Sequence, residues 1–414
     1  MQGSSISHLR VISIAIVLFM AFCRPAGAQH ASPASSPRPL TLKVRPDDAA
    51  TSEGFERFYN SDYDAAIRDF EEAQRAHPED SFAVNHLLQA VLVRELDREG
   101  ALSPRLYMGA EFLHVERQPV DPQVRARIEE LTGQALSLAE RRLRTQPSDA
   151  DALYARGVTR ALSATYEGLI EKAWFTSLRS AMGAYHDHKH VAELSPNNSD
   201  AELVVGVYNY IVAALPFYEK IPVFLLTVNG SKSKGIDDVR RAANAGGETA
   251  VDAKTALSMF LAREHRYSEA LSLMQELYRA FPHNFHFGLN EADLLRISDD
   301  LPAAVAAYRK LIALGQQNTF PHPWLARAAY GLGECLHSQG DFGGAANAFE
   351  SADQMSDGDR AQAIHAKLSA GEMYDLMGNR EPALKKYAEV IAMGNDSAEA
   401  QEARRLSKNP FRDR

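Results

Sequence analysis

Small, apolar and aromatic residues recur along this chain at a spacing that predicts pairs of short amphipathic helices. The pattern first appears as Gly54, Ala66, Phe70, Ala73 and Pro78, with the apolar periodicity of an α-helix on either side of a turn. Two antiparallel helices approach closely where side chains are small, so we expect the glycine of the first helix to meet the alanine of the second. The aromatic ring should fill the space beside that contact, and the proline should end the second helix. The predicted fold class is all-α.

The best-formed copies of the pattern lie toward the C-terminus, where Gly333 precedes Ala345 and Phe349, and Gly371 precedes Tyr387. Repeated matches in one frame, at intervals of roughly 34 to 38 residues, are typical of helical repeat arrays. The sequence thus resembles the tetratricopeptide repeat superfamily. This resemblance implies a right-handed α-solenoid of about eight helical hairpins over residues 51–405. The clear repeats lie near residues 51–80, 254–284, 288–318, 326–358 and 364–396.

An irregular insert is predicted over residues 206–247. Pro216 and Pro222 break the helical pattern there, and an apolar segment follows where a surface turn would be expected. Two interpretations remain open for this stretch. It packs against the core and closes one side of the solenoid, or it forms an apolar groove over residues 215–228 that binds a ligand or partner. The candidate groove residues are Phe217, Phe224 and Leu225.

The middle of the chain, over residues 183–285, is similar to a family of tetratricopeptide proteins that includes the eukaryotic inclusion-body-clearance proteins. The similarity covers about a quarter of the chain and implies a non-enzymatic adaptor. It rests on a Leu-Pro step, an apolar stretch, a glycine-containing loop and a helix with paired alanines, in the order Leu215-Pro216, Val223 to Leu226, Gly230, Gly235-Ile236 and Ala242-Ala243.

The first residues predict a bacterial secretory signal peptide over residues 1–28. Arg10 precedes an apolar run, and Ala26-Gly27-Ala28 follows as a small-residue cleavage pattern. The apolar run of about a dozen residues is too short for a membrane span, which needs roughly 20. We therefore expect an exported protein, periplasmic or extracellular, with no membrane span and with possible peripheral association with the cell envelope.

The composition and net charge of the mature chain limit the classes of partner that it is expected to bind. Residues 29–50 are rich in serine and proline and are predicted to form a disordered tether, and residues 406–414 form a short tail. Signal cleavage would remove Arg10 and Arg24 and no acidic residue, which takes the net charge from −9 to −11. Such a charge disfavours binding to nucleic acid or to anionic lipid by bulk electrostatics.

The residues with metal-ligand chemistry cluster at His186 and His190. Histidines four apart share one face of a helix and can hold zinc when a third ligand comes from elsewhere. A solvated helix face explains the same pair, so both interpretations stay open. The chain has no nucleophile elbow, dinucleotide fingerprint or paired cysteines, and the sequence predicts neither a cofactor nor an enzyme.

Taken together, the sequence predicts an exported, non-enzymatic scaffold whose concave face binds a protein or peptide partner. The predicted contacts are outward-facing residues on the first helices of the last two clear repeats. Two alternatives belong to other classes: an apolar-ligand carrier that uses residues 215–228, and a metal-dependent enzyme that uses His186 and His190. The predicted partner contacts are Tyr330, Glu334, Glu372 and Asp375.

Overall fold

The computed structural model describes residues 42–99, 101–102, 120–214, 230–315, 317, 320, 322–357, 359–394 and 397–413. The predicted signal peptide lies outside these ranges, as do residues 29–41 and the apolar groove candidates Phe217, Phe224 and Leu225. Within the described ranges the chain forms α-helices, one π-helical turn and a single isolated bridge between Lys43 and Gly247. The all-α fold class is confirmed. None of the described helices combines the length and apolar character needed to span a bilayer.

The chain divides into two compact units, residues 1–281 and 282–414. In unit 1, consecutive helices pack as hairpins, α1 with α2, α3 with α4, α5 with α6, α7 with α8 and α9 with α10. A π-helical turn, Tyr166–Ile170, extends α5. The unit 1 helices are α1 Ala49–Tyr59, α2 Tyr63–Ala76, α3 Ser81–Arg98, α4 Pro122–Thr145, α5 Ala150–Thr165, α6 Trp174–Leu194, α7 Asp200–Ala214, α8 Lys232–Asn244, α9 Ala250–Arg263 and α10 Tyr267–Ala280.

Unit 2 continues the hairpin pattern with α11 on α12, α13 on α14 and α15 on α16, and a final helix, α17, packs on α16 and α15. The side chain of Arg380 donates to the carbonyl oxygens of Leu406 and Ser407 at 2.7 and 2.8 Å, which satisfies the C-terminal end of α17. The unit 2 helices are α11 Phe285–Ile297, α12 Leu301–Gly315, α13 His322–Ser338, α14 Phe342–Gln354, α15 Arg360–Leu376, α16 Arg380–Met393 and α17 Ala398–Lys408.

Aspartate side chains mark the starts of many of these helices. The carboxylate of Asp149 accepts from the backbone N–H of Ala152 at 3.0 Å, and that of Asp341 accepts from Gly344 at 2.8 Å. Each such cap satisfies a backbone donor that the helix itself leaves unpaired and contributes about 1 kcal/mol. The turns between helices are therefore specified by local sequence.

The close contact inside three of the described hairpins, α1 with α2, α13 with α14 and α15 with α16, differs from the expected one in its partner. A Cβ atom added to Gly54 would lie 2.5 Å from Cε1 of Phe70, and one added to Gly333 would lie 2.5 Å from Cε1 of Phe349. The nearest atoms to these glycines thus belong to the aromatic ring of the second helix and not to its alanine. The ring lies where a first-helix side chain would otherwise stand, because an aromatic residue needs that volume to be buried.

The prediction of an irregular insert over residues 206–247 is wrong for the described residues at both ends of that range. Residues 206–214 belong to α7, and residues 232–244 form α8, which packs on α7 as in the other hairpins. A Cβ atom on Gly206 would lie 2.8 Å from the carbonyl oxygen of Gly235, so glycine lets the two backbones touch. This hairpin was not recognisable in the sequence because its close contact joins two glycines instead of a glycine and an aromatic ring.

Residues 42–50 depart from the expected disordered tether. The backbone N–H of Lys43 donates to the carbonyl oxygen of Gly246 at 3.2 Å, and that of Arg45 donates to Oε2 of Glu248 at 3.2 Å. Asp48 caps α1 by accepting from Thr51 at 2.7 Å. Serine and proline content predicted disorder on average, but these specific bonds hold the last part of the segment in place.

We expect Gly54→Ala to lower the free energy of unfolding by about 1 to 3 kcal/mol, because the new methyl group would overlap the ring of Phe70. Gly133→Ala is the matched control. Gly133 is an exposed position on α4, where an added Cβ would meet nothing within 4 Å. The alanine should therefore raise the free energy of unfolding by about 0.5 to 1 kcal/mol. Urea unfolding followed by circular dichroism measures both, and equal effects of the two substitutions would contradict the packing described here.

Candidate functional site

Unit 1 contains a cavity of about 170 Å³ whose walls come from α1, α3, α5, α6, α7 and α9. We call it the polar cavity, because titratable side chains from separate helices meet in it. Aromatic and aliphatic side chains complete the wall. The residues that define it are Phe55, His86, Tyr154, His188, Asp200, Glu248 and Asp252.

Glu248, in the turn before α9, lies at the centre of an ion-pair network. Nε2 of His86 lies 2.7 Å from Oε1 of Glu248, and both side chains are almost fully buried. Burial alone would raise the pKa of Glu248, but the neighbouring His86 and Arg45 lower it below its ordinary value. The carboxylate is therefore ionised at neutral pH, and Nε2 of His86 donates to it.

Arg45 brings the N-terminal segment to the rim of this network. Its guanidinium lies 4.3 Å from the ring centroid of Phe82 and 4.6 Å from that of Tyr154, in cation–π geometry. Its nitrogens lie 3.6 Å from a carboxylate oxygen of Asp200 and 3.7 Å from Oε2 of Glu248. A non-helical piece of the chain is thus held by its backbone and by one cationic side chain.

Asp252, on the first turn of α9, is buried among neutral donors. Tyr59 donates its hydroxyl to Oδ2 of Asp252 at 3.2 Å, and the amide of Gln89 donates at 3.5 Å. Burial raises the pKa of Asp252 to about 6, although these two hydrogen bonds oppose the rise. Above pH 6 the site therefore holds a buried carboxylate that pairs with no cation among the described residues.

His188, on α6, occupies the position that an aromatic ring takes in the other hairpins. A Cβ atom on Gly157 would lie 2.4 Å from its Cε1 atom, as glycine lies against Phe70 in the first hairpin. Nδ1 of His188 donates to the carbonyl oxygen of Ala184 at 2.8 Å, while Nε2 is buried with no hydrogen-bond partner in the described part of the chain. Burial lowers the pKa of His188 to about 4, so the ring is neutral and Nε2 carries a lone pair.

The two histidines that the sequence offered as candidate metal ligands lie outside the polar cavity. His186 is exposed and His190 is half-buried, and neither lines the polar cavity. The signal for His188 was present, since Ala184, His188 and Pro196 have the spacing of Ala66, Phe70 and Pro78. In the described ranges no group of three histidine, cysteine, aspartate or glutamate side chains is arranged to hold a metal ion.

The four predicted partner contacts lie in unit 2, on α13 and α15. Tyr330 is half-buried, with its hydroxyl 3.1 Å from Oγ of Ser369, and Glu334 lies 3.8 Å from the guanidinium of Arg296. Each therefore links its own helix to the neighbouring first helix. Glu372 lies toward α17, where burial and the carboxylate of Glu402 raise its pKa to about 7.

The expectation that Asp375 points outward is wrong. Its side chain is 0% exposed and accepts from the hydroxyl of Tyr387 and the backbone N–H of Phe411, each at 2.8 Å. Nη1 of Arg380 lies 2.8 and 2.9 Å from its two oxygens. This carboxylate joins α15, α16 and the C-terminal tail, because those elements present three donors to one buried acceptor.

Comparison with known proteins identifies the repeats. A family model described as Tetratricopeptide repeat matches residues 256–319 and 325–360, which fall on α9 to α15. Within the matched range, the hairpin of α13 and α14 carries the contact between Gly333 and the ring of Phe349. The matched residues are tetratricopeptide repeats. A search of curated proteins found no match for it.

Several solved structures resemble this chain at low sequence identity. PilW, a type IV pilus biogenesis factor, has a TM-score of 0.42 at 16% identity, covering 59% of this chain and 97% of PilW. Pseudomonas aeruginosa pilF has a TM-score of 0.41 at 14% identity, covering 62% and 98%. Yeast Tom70 has a TM-score of 0.40 at 14% identity, covering 87% and 94%. No role is carried over from them.

In this tetratricopeptide protein we expect His188→Phe to reduce acid sensitivity. The folded-state pKa of His188, about 4, lies below the ordinary histidine pKa of 6.5, so its stabilising contribution is present above pH 6.5 and is lost as pH falls toward 4. Between pH 7 and pH 4, the free energy of unfolding of the parent should fall by up to about 3 kcal/mol more than that of the variant. Urea unfolding at several pH values measures this. His186→Gln, at an exposed position, should leave the pH profile unchanged, and an equal effect there would contradict the assignment.

We expect Asp375→Asn to destabilise unit 2 of the tetratricopeptide protein by roughly 2 to 4 kcal/mol, because it leaves Arg380 without its charged partner in a buried site. Limited proteolysis should then release the C-terminal helix faster than in the parent. Glu381→Gln, on the exposed start of α16, is the control and should change stability by less than about 0.5 kcal/mol. Unchanged proteolysis of Asp375→Asn, with weaker partner binding, would instead make Asp375 a contact residue.

Proposed function

We propose that this protein is an exported, non-enzymatic tetratricopeptide scaffold that binds an extended segment of a protein partner in the bacterial cell envelope. Repeat arrays of this type present the first helices of successive hairpins side by side, and such surfaces hold peptides through rows of side chains. The proposal includes export through the N-terminal signal, with cleavage after Ala28.

The observation that carries the proposal is the binding of the chain's own residues 43–48 in unit 1. Backbone groups of Lys43 and Arg45 are hydrogen-bonded to Gly246 and Glu248, and the Arg45 guanidinium lies over two aromatic rings. Backbone hydrogen bonds give affinity for any extended chain, and a side-chain pocket adds specificity. The same repeat chemistry that holds this segment can hold a segment of another protein.

In unit 2 we assign the partner contacts to the row formed by α11, α13 and α15. Tyr330 and Glu334 lie one helical turn apart on α13, and both are only partly buried. Each is in contact with a neighbouring first helix, through Ser369 and Arg296 respectively. A partner segment that crosses the row would meet these side chains on rigid elements, which lowers the entropy lost on binding. Glu372 extends the row toward α17.

The test is affinity capture with residues 29–414 on soluble and detergent-extracted cell envelope, followed by calorimetry with each purified partner. We expect Tyr330→Ala and Glu334→Gln each to lower the affinity for the purified partner by about tenfold or more, as for central interface residues. Lys385→Ala, at an exposed position on α16, is the control and should bind as the parent does. Circular dichroism melting must show that all three variants remain folded.

Equal binding by the parent, Tyr330→Ala and Glu334→Gln would contradict the unit 2 row. The export part has a separate readout, the N-terminal mass of the protein recovered from the periplasmic fraction. A chain that begins at Gln29 agrees with cleavage after Ala28. A full-length chain that remains in the cytoplasm would contradict export.

The two alternative functions remain predictions with their own tests. An apolar-ligand carrier that uses residues 215–228 should lose lipid binding when Phe224 and Leu225 are changed to serine. A metal-dependent enzyme that uses His186 and His190 should purify with a stoichiometric metal ion. The scaffold proposal requires neither result.

A further inference from the structure

The polar cavity of unit 1 has the size of a small-molecule site. Its volume is about 170 Å³, and cavities of about 150 Å³ accommodate a molecule as large as benzene. Its lining combines apolar side chains with ionisable groups from α3, α6, α7 and the region of Glu248 and Asp252. The apolar lining residues are Phe55, Val158, Ala161, Leu162, Leu203 and Val204.

One imidazole nitrogen among the residues that line this cavity has a lone pair that the described residues leave unused. Nε2 of His188 is this acceptor, because the Nδ1–H of the same ring donates to Ala184. Nδ1 of His86 also has no hydrogen-bond partner in the described ranges, while Nε2 of that ring donates to Glu248. A buried acceptor left without a donor is destabilising. A ligand that carries N–H donors would therefore satisfy the unpaired imidazole nitrogen.

The charges at the cavity favour a cation. Glu248 and Asp200 share the positive charge of Arg45, but Asp252 accepts only from the neutral groups of Tyr59 and Gln89. Glu248 is also hydrogen-bonded to His86, so among the three carboxylates that line the cavity it is Asp252 that contacts no cationic side chain in the described ranges. A buried carboxylate without a cation is costly, and a positively charged ligand would offset that cost. The described residues include no trio of side chains suited to a metal ion, so the cation should be organic.

We propose that the polar cavity binds a small organic ammonium ion of about eight heavy atoms, a size set by the cavity. Its N–H groups donate to His188 and to the carboxylate of Asp252, and its apolar body packs against apolar lining residues that include Phe55 and Leu203. This site is independent of the partner-binding row in unit 2. It goes beyond the scaffold function and does not rest on it.

The experiment uses benzylammonium and n-butylammonium as probes, with benzyl alcohol and benzoate as neutral and anionic counterparts of the same size. Isothermal titration calorimetry on residues 29–414 at pH 7.5 should show saturable binding of an ammonium probe. We expect benzyl alcohol to bind at least tenfold more weakly than benzylammonium, and benzoate to show no binding.

Two variants locate the site. His188→Phe replaces the acceptor with the ring that other hairpins carry at this position, and Asp252→Asn removes the charge while keeping a similar shape. Each should weaken ammonium binding at least tenfold. His186→Gln, two residues away and exposed, is the matched control and should bind as the parent does. Melting curves in the absence of probe establish that each variant is folded.

Three outcomes would overturn the proposal. One is the absence of saturable binding of either ammonium ion to the folded parent. Another is equal affinity for benzyl alcohol and benzylammonium, which would make the cavity a purely apolar site. The third is unchanged binding in both His188→Phe and Asp252→Asn, which would place the probe elsewhere on the protein.

Discussion

In three of the described hairpins, the contact between a first-helix glycine and a second-helix ring sets how closely the two helices pack. At Gly54, Gly333 and Gly371 the missing side chain leaves space that the ring of Phe70, Phe349 or Tyr387 occupies. The ring is buried, and the two helices approach closely without voids. Because each hairpin also supplies the surface on which the next one packs, a change at this contact affects neighbouring repeats as well as its own.

His188 shows how this constraint creates a site. It occupies the ring position of its hairpin against Gly157, so the fold buries it as it would bury a phenylalanine. Unlike phenylalanine, the imidazole brings two polar nitrogens into the core, and the helix satisfies only Nδ1. A polar atom in the core beside His86 and Asp252 thus follows from one substitution within the repeat pattern. The polar cavity is a modified repeat contact and not an added element.

Much of the fold could be predicted from local sequence, because glycine, alanine and ring spacing and aspartate caps act over a few residues. The hairpin of α7 and α8 could not, since its contact between Gly206 and Gly235 lacks the ring that makes the other repeats visible. The candidate site was largely missed for another reason. Arg45 and Glu248 lie 203 residues apart, and no periodic pattern links residues at such a distance.

The same long-range pairing has a consequence for folding. In most repeat arrays each repeat contacts only its neighbours, so the array can fray or fold one repeat at a time. Here Tyr59 on α1 is bonded to Asp252 on α9, and His86 on α3 to Glu248. These bonds join the beginning of unit 1 to its later hairpins. Its repeats should therefore unfold together in a single cooperative transition, and the early helices reach their final stability only after α9 has been synthesised.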